Sequence, residues 1–202
     1  GYTADTPETD GNRTHSQLSD AELADFLAGL SAVSRPVICD WFRGSEAVEW
    51  KPDASPVTRA DKAAETALRA AIEARFPDDA ILGEEHAARP GSGKTGYSWV
   101  IDPIDGTRAF VCGRPVFGTL VGLVDGTTPV AGLIDMPMLD ECYVGVGGKT
   151  VLNGAAATTS QVTSLSRARI ASTAPEALLT DSLAAFNRMV DQAAITVYGG
   201  DC

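Results

Sequence analysis

WVIDPIDGTRAF, residues 99–110, is the stretch from which the fold of this chain is read. An apolar run, Trp99 to Ile101, stops at Asp102. Pro103 and Gly106 then turn the backbone around a second carboxylate, Asp105, and a hydroxyl, Thr107. The pattern predicts a buried strand that ends in a charged turn. Pro103 has a fixed φ and no donor, while Gly106 lets the backbone approach a ligand closely, so two acids stand near open N–H groups. Such a turn can hold metal ions and a phosphate together. Six specified residues directly after an apolar strand, Asp102 to Thr107, are more than an ordinary Asp-Gly turn requires.

Upstream, Ala80 to Leu82 reads as a short strand that stops at Gly83-Glu84-Glu85. Alone, a Gly-Glu-Glu run is a common solvated loop. If the two strands are neighbours, however, Glu84, Asp102 and Asp105 converge at their C-terminal ends. Three hard oxygen donors suit Mg²⁺, and the chain's two histidines, His15 and His86, are few for a zinc or iron site. Further upstream, the turn-rich Lys51–Asp61 segment leads to Thr58, an expected N-cap for an alanine-rich helix running to about Arg75. Asp61 then falls in the first helical turn, where the dipole favours a negative charge. Ser19 and Glu22 form an expected capping box. From Leu23 to Phe42 the apolar spacing is helical, with Pro36 an expected kink, so this is one long helix or two short ones. Arg89–Gly96 reads as a mobile loop.

Downstream, residues 116–124, 130–135 and 141–146 read as strands of a meander. Residues 151–164 follow as hairpin and loop, 168–172 as a strand, 175–192 as a helix, and 195–198 as a strand entering Gly199-Gly200-Asp201. The expected organisation is a flexible tail over 1–17, an N-terminal α+β domain with the metal site over 18–150, and the start of a smaller α/β domain over 151–202.

Charge narrows the partners. With 16 Lys+Arg against 27 Asp+Glu, the net charge of −11 argues against nucleic acid or an anionic membrane as the main partner. An anionic ligand would need a cation to offset that field. The four cysteines, Cys39, Cys112, Cys142 and Cys202, form no CxxC pair and suggest neither a zinc knuckle nor a disulfide framework. No segment approaches the about 20 apolar residues of a membrane span, and no apolar leader opens the chain. The expectation is a cytoplasmic, reduced protein.

With GEE on a separate upstream strand, WVIDPIDGT resembles the signature of the inositol-monophosphatase superfamily of Mg²⁺-dependent, lithium-sensitive phosphatases. SPVTRADKAAE, residues 55–65, is similar to the family's loop-to-helix stretch, and VLNG, residues 151–154, to its hairpin. DGTRAF and the terminal YGGDC are most similar to the histidinol-phosphate phosphatase branch, whereas inositol phosphatases more usually carry Thr-Asn-Phe after DGT.

The resemblance implies a layered αβαβα sandwich with the active site between its two parts. It implies that Glu84, Asp102, Asp105 and the Ile104 carbonyl hold two or three Mg²⁺ ions. Asp61 and Thr107 would join Glu84 in activating water, and the Gly106 and Thr107 N–H groups would bind phosphate. Asp201, Gly200 and Arg108 would face the substrate, with Asp201 pairing an ammonium group. As alternatives, Thr107 reads as a simple N-cap and Asp201 as a surface-turn acid, while Lys51 reads equally as a loop lysine or a neighbour of a catalytic carboxylate. The family's last ligand is an aspartate in a Trp-Asp or Tyr-Asp pair. No such pair occurs between Thr107 and Cys202, so the C-terminal part is expected to be incomplete or to lack that ligand.

The implied activity is hydrolysis of a small phosphorylated metabolite. Histidinol phosphate comes first, then inositol 1-phosphate or a related sugar phosphate, and the resemblance allows a homodimer. An aspartyl-phosphate enzyme of the haloacid-dehalogenase type needs acids two positions apart, and Asp102 and Asp105 are three apart with proline between. A metal- or phosphate-binding homologue without catalysis is the non-enzyme alternative.

Overall fold

In the computed structural model, residues 18–44, 49–50, 56–174, 180–200 and 202 are described. The tail over 1–17, Lys51, Asp201 and the expected helix start at Pro175 lie outside them.

Ser19 caps the first helix as its sequence predicts. Its side chain accepts from the Glu22 N–H, and the Glu22 carboxylate accepts from the Ser19 N–H at 2.8 Å. The helix, α1 (Asp20–Trp41), runs unbroken through Pro36, so the long-helix reading holds. It buries Leu27, Leu30 and Ile38. A short antiparallel ribbon, β1 (Glu49–Trp50) with β2 (Pro56–Val57), leads into α2 (Arg59–Arg75).

Seven strands form one sheet, in chain order from β3 to β9. They are β3 (Ala80–Gly83), β4 (Tyr97–Asp105), β5 (Gly118–Asp125), β6 (Thr128–Met136), β7 (Glu141–Val146), β8 (Lys149–Leu152) and β9 (Ala155–Ala156). Only β3 and β4 run parallel; every other neighbouring pair is antiparallel. The β8–β9 hairpin turns through Asn153 and Gly154, both at positive φ, the conformation that a two-residue turn between twisted strands requires. A short helix, α3 (Thr107–Val111), links β4 to β5. Beyond the sheet, β10 (Arg169–Ser172), α4 (Thr180–Val190) and β11 (Ile195–Tyr198) form a parallel strand-helix-strand unit.

Helices α1 and α2 cover one face of the large sheet. Leu27, Leu30, Leu68 and Ile72 from the helices pack on Trp99, Ile101, Val121 and Leu123 from the strands. Each such side chain contributes about 1.5–3 kcal/mol when fully buried. A second cluster, including Ile38, Ala64, Ile104, Phe110 and Phe117, sits beneath α3 and anchors the turn that follows β4. Phe110 and Phe117 meet edge to face at 5.1 Å.

Arg89, in the stretch read as a mobile loop, is pinned. Its backbone exchanges hydrogen bonds with Ile81 at 2.8 and 2.9 Å. Its guanidinium donates to the Asp79 and Pro77 carbonyls at 2.7 and 2.6 Å, satisfying acceptors left over after α2 ends.

Candidate active site

The parallel pairing of β3 and β4 sets the site. Gly83 stands opposite Ile101, so Glu84, just past the end of β3, comes beside Asp102, which is still on β4. Asp102 pairs with Leu120 but Asp105 pairs with Gly118, so three steps along β4 match two along β5. The extra residue is a β-bulge. Side chains three apart on a regular strand point to opposite faces, and the bulge reverses that parity for Asp102 and Asp105. Thr119 braces the bulge by donating to the Pro103 carbonyl at 2.8 Å.

Asp102 has an abnormal electrostatic environment. Burial first, then the charges of Glu84 and Asp105, a hydrogen bond with Glu84 and the charge of Asp61 raise its pKa to about 7. Its Oδ1 atom is buried without a hydrogen-bond partner among the described residues. A buried carboxylate oxygen in that state is costly unless a cation or donor meets it. Glu84 is exposed and Asp105 half-buried. Among the described residues no three acidic, histidine or cysteine side chains converge in ready-made coordination geometry.

Helix α2 supplies the second wall. Its N-cap Thr58 and Asp61 form a capping box in which Asp61 Oδ2 accepts from the Thr58 N–H at 2.8 Å and from its hydroxyl at 2.6 Å. Asp61 is only 2% exposed, and its Oδ1 faces the Thr107 hydroxyl at 3.5 Å. The Thr107 hydroxyl also donates to the Ile104 carbonyl at 3.1 Å. The N-cap of α3 is Gly106, not Thr107. Its φ of 88° is left-handed, which glycine adopts without the Cβ clash that threonine would meet. Thr107 is thereby the first helical residue, with its hydroxyl turned towards Asp61.

Two further sequence candidates are located as follows, and the third, Asp201, lies outside the described residues. Arg108 is exposed on α3. Gly200 is half-buried, and its carbonyl accepts from the Thr173 hydroxyl at 3.1 Å. Cys202 brings its sulfur against Gly118, the strand partner of Asp105, where no Cβ would fit. Gly199, at a φ of 80°, likewise leaves room for the Arg114 guanidinium. The glycine turn therefore packs beside the start of β5.

Sequence reading missed Glu65. It is fully buried on α2, one turn beyond Asp61. The signal was available: Asp61, Ala64, Glu65, Leu68 and Ile72 share one helical stripe, and a charge on a buried stripe calls for a partner.

Residues 20–192 match the family described as the inositol monophosphatase family. The chain is 40% identical over 195 residues to "Bifunctional phosphatase IMPL2, chloroplastic" of Arabidopsis thaliana, covering 95% of this chain and 56% of that protein. It is 39% identical over 170 residues to a histidinol-phosphatase of Chlorobaculum parvum, covering 81% of this chain and 63% of the relative. The chain thus spans 56% to 63% of the length of these two relatives. A solved inositol monophosphatase from Zymomonas mobilis superposes with a TM-score of 0.77 at 36% identity, over 92% of this chain and 72% of that one. The fold is that family's layered αβαβα sandwich. By sequence match and by fold, the chain belongs to the inositol monophosphatase family, whose members are metal-dependent phosphomonoester hydrolases.

Proposed function

We propose that this chain carries the metal-binding and water-activating part of an Mg²⁺-dependent phosphatase that acts on histidinol phosphate. The single observation behind this reading is Asp102, a carboxylate under the charges of Glu84 and Asp105 with one buried oxygen that has no partner among the described residues. The donor chemistry fits Mg²⁺. Glu84, Asp102, Asp105 and the Ile104 carbonyl would hold it through oxygen alone, with two or three ions in all.

When bound, Mg²⁺ supplies positive charge to the phosphate oxygens and makes a nearby water more acidic. The chain's own residues then have separate tasks. Asp61 keeps Oδ2 for the α2 cap and turns Oδ1 to Thr107, so this acid and hydroxyl form a path for a proton leaving the attacking water. The Thr107 hydroxyl accepts from the water and passes its own proton to Asp61. Gly106 and Thr107 present N–H groups to phosphate oxygens. Attack is in line and requires no covalent intermediate.

Histidinol phosphate is preferred over inositol phosphate on three grounds: the Arg108-Ala109-Phe110 tail of the turn, the Gly199–Cys202 segment, and the histidinol-phosphatase name carried by the Chlorobaculum relative. Asp201 would pair the substrate ammonium. The test measures phosphate release from histidinol phosphate and inositol 1-phosphate, with and without Mg²⁺. It uses this chain and a version extended to the length of its relatives. Mg²⁺-dependent release with a higher kcat/KM for histidinol phosphate is expected. No release by the extended version overturns the enzyme reading, and preference for inositol phosphate overturns the substrate.

A further inference from the structure

Glu84 stands on a chain segment that continues as Glu85 and His86, and the backbone of that segment is gripped from α2. Glu65 Oε2 accepts from the Glu85 N–H at 2.7 Å, and Oε1 accepts from the His86 N–H at 3.3 Å. Arg69, one turn along the helix, donates from Nε to Glu65 Oε1 at 2.7 Å and from Nη2 to the His86 carbonyl at 3.3 Å. The His86 ring closes the grip: its Nε2 lies 3.1 Å from both the Lys62 carbonyl and the Thr66 hydroxyl. On the other side of Glu84, Gly83 has no room for a Cβ because the Glu65 carboxylate fills that space.

These contacts lie outside the chemistry assigned above. Glu65 is 0% exposed, so its charge leaves water only because backbone donors and Arg69 replace the lost hydration. A carboxylate held by two N–H groups and a guanidinium is a rigid support. It touches the residue just before Glu84 and the two just after it. The same helix face presents Asp61 to Thr107, so one rigid element delivers Asp61 directly and Glu84 at one remove.

We propose that Glu65 is a positioning residue that fixes the Glu84 carboxylate beside Asp102 and thereby sets the affinity of the site for a divalent cation. This rests on the reading of Glu84 as a metal ligand. Partners behind a ligand orient it, and their loss commonly weakens metal binding by about 10–100-fold. Glu65→Gln keeps the volume but retains a single acceptor oxygen, so the Glu85 and His86 N–H groups can no longer both be met.

The experiment titrates Mn²⁺ into the full chain and its variants, following free Mn²⁺ by electron paramagnetic resonance well below each Tm. Far-UV circular dichroism confirms the fold. Glu84→Gln serves as the control and removes the tight site. Glu65→Gln is expected to weaken Mn²⁺ binding by about 10–100-fold while the circular dichroism stays native. A Glu65→Gln variant that melts earlier yet binds Mn²⁺ as the parent does overturns the proposal, because the role is then merely structural. If Glu84→Gln itself binds as the parent does, the metal-site reading fails instead. Should Glu65→Gln not fold, Arg69→Met decides. It removes the guanidinium from Glu65 and His86 at a position nearer solvent, and unchanged Mn²⁺ binding there overturns the proposal equally.

Discussion

Asp102→Asn is expected to stabilise the metal-free protein while destroying its response to Mg²⁺. The folded state raises the Asp102 pKa from 3.8 to about 7, by burial and by the charges of Glu84 and Asp105. Each pKa unit corresponds to about 1.36 kcal/mol, which gives an upper figure of about 4 kcal/mol against the folded, ionised state. Asp102 is only partly buried, and solvent screening reduces this to about 2 kcal/mol. The direction follows from proton counting. Between pH 3.8 and about 7 the folded protein keeps a proton that the unfolded chain has released, so stability falls as pH rises through that window. Above it the loss is complete and constant; below it the loss vanishes. Asparagine has nearly the same volume and no charge to desolvate. At pH 8 in EDTA, Asp102→Asn should therefore melt higher than the parent, by about 4–8 °C on the usual scale for a domain of this size. The advantage should close as the pH approaches 4. With Mg²⁺ at about 100 times its Kd, the parent gains about 2.7 kcal/mol and the variant gains nothing, so their order reverses. Differential scanning calorimetry at both pH values, with and without Mg²⁺, decides. A variant less stable than the parent in EDTA at pH 8, or one that Mg²⁺ still stabilises, refutes the reasoning.

Arg35→Ala should destabilise the chain by about 3 kcal/mol or more, because it strands a buried charge. Arg35 donates from Nε and Nη2 to the fully buried Asp135 at 2.7–3.0 Å and also pairs with Asp140. Urea unfolding should show a lower midpoint at unchanged slope, with partial recovery in Arg35→Ala/Asp135→Asn. Thr107→Val should lower kcat by about 100-fold or more with little change in KM, while Thr107→Ser keeps most activity. Phosphate-release kinetics in Mg²⁺ check this, and an active valine variant removes the hydroxyl from the proton path. Asp201→Ala should raise KM for histidinol phosphate by about tenfold, the scale of one charge-assisted contact, and leave KM for inositol phosphate nearly unchanged. Equal effects on the two substrates refute the ammonium pairing.

Much of this was legible where the determinants are local. Ser19 with Glu22 was legible as a capping box and Thr58 as an N-cap with Asp61 in the first turn, because each pair joins residues three apart. The strands at 141–146 and 195–198 fall where alternation and turn residues put them. What stayed hidden depends on partners distant in sequence. Arg35 and Asp135 lie 100 residues apart. The bulge in β4 exists only in relation to the register of β5. The spacing around Pro36 left one long helix or two short ones open, and α1 is the long one, with Leu27, Leu30 and Ile38 packing on the rest of the molecule from both sides of the proline. The N-cap alternative for Thr107 fails because αL geometry at Gly106 is a backbone property, whereas Thr107 only has the side chain usual at a cap.

The cost of placing Asp102 within reach of the charges of Glu84, Asp105 and Asp61 has a structural answer in β4 itself. Trp99 and Ile101 are buried in the main cluster, and Trp99 Nε1 donates to the buried Asp79 at 2.9 Å. Ile104 anchors the second cluster. Asp102 and Asp105 alternate with these anchors along the same strand. The backbone that carries the acids is therefore fixed by apolar burial on both sides of Asp102 and just before Asp105, which limits how far the strand can move to relieve repulsion among the carboxylates. Burial first, and this repulsion after it, raise the Asp102 pKa. Glu84 lies just past β3, separated from that strand's buried anchor Ile81 by the exposed Leu82 and a glycine. A site that must hold charge at fixed positions thus needs a separate support for that one acid, and Glu65 on α2 is the group that touches its neighbours on either side.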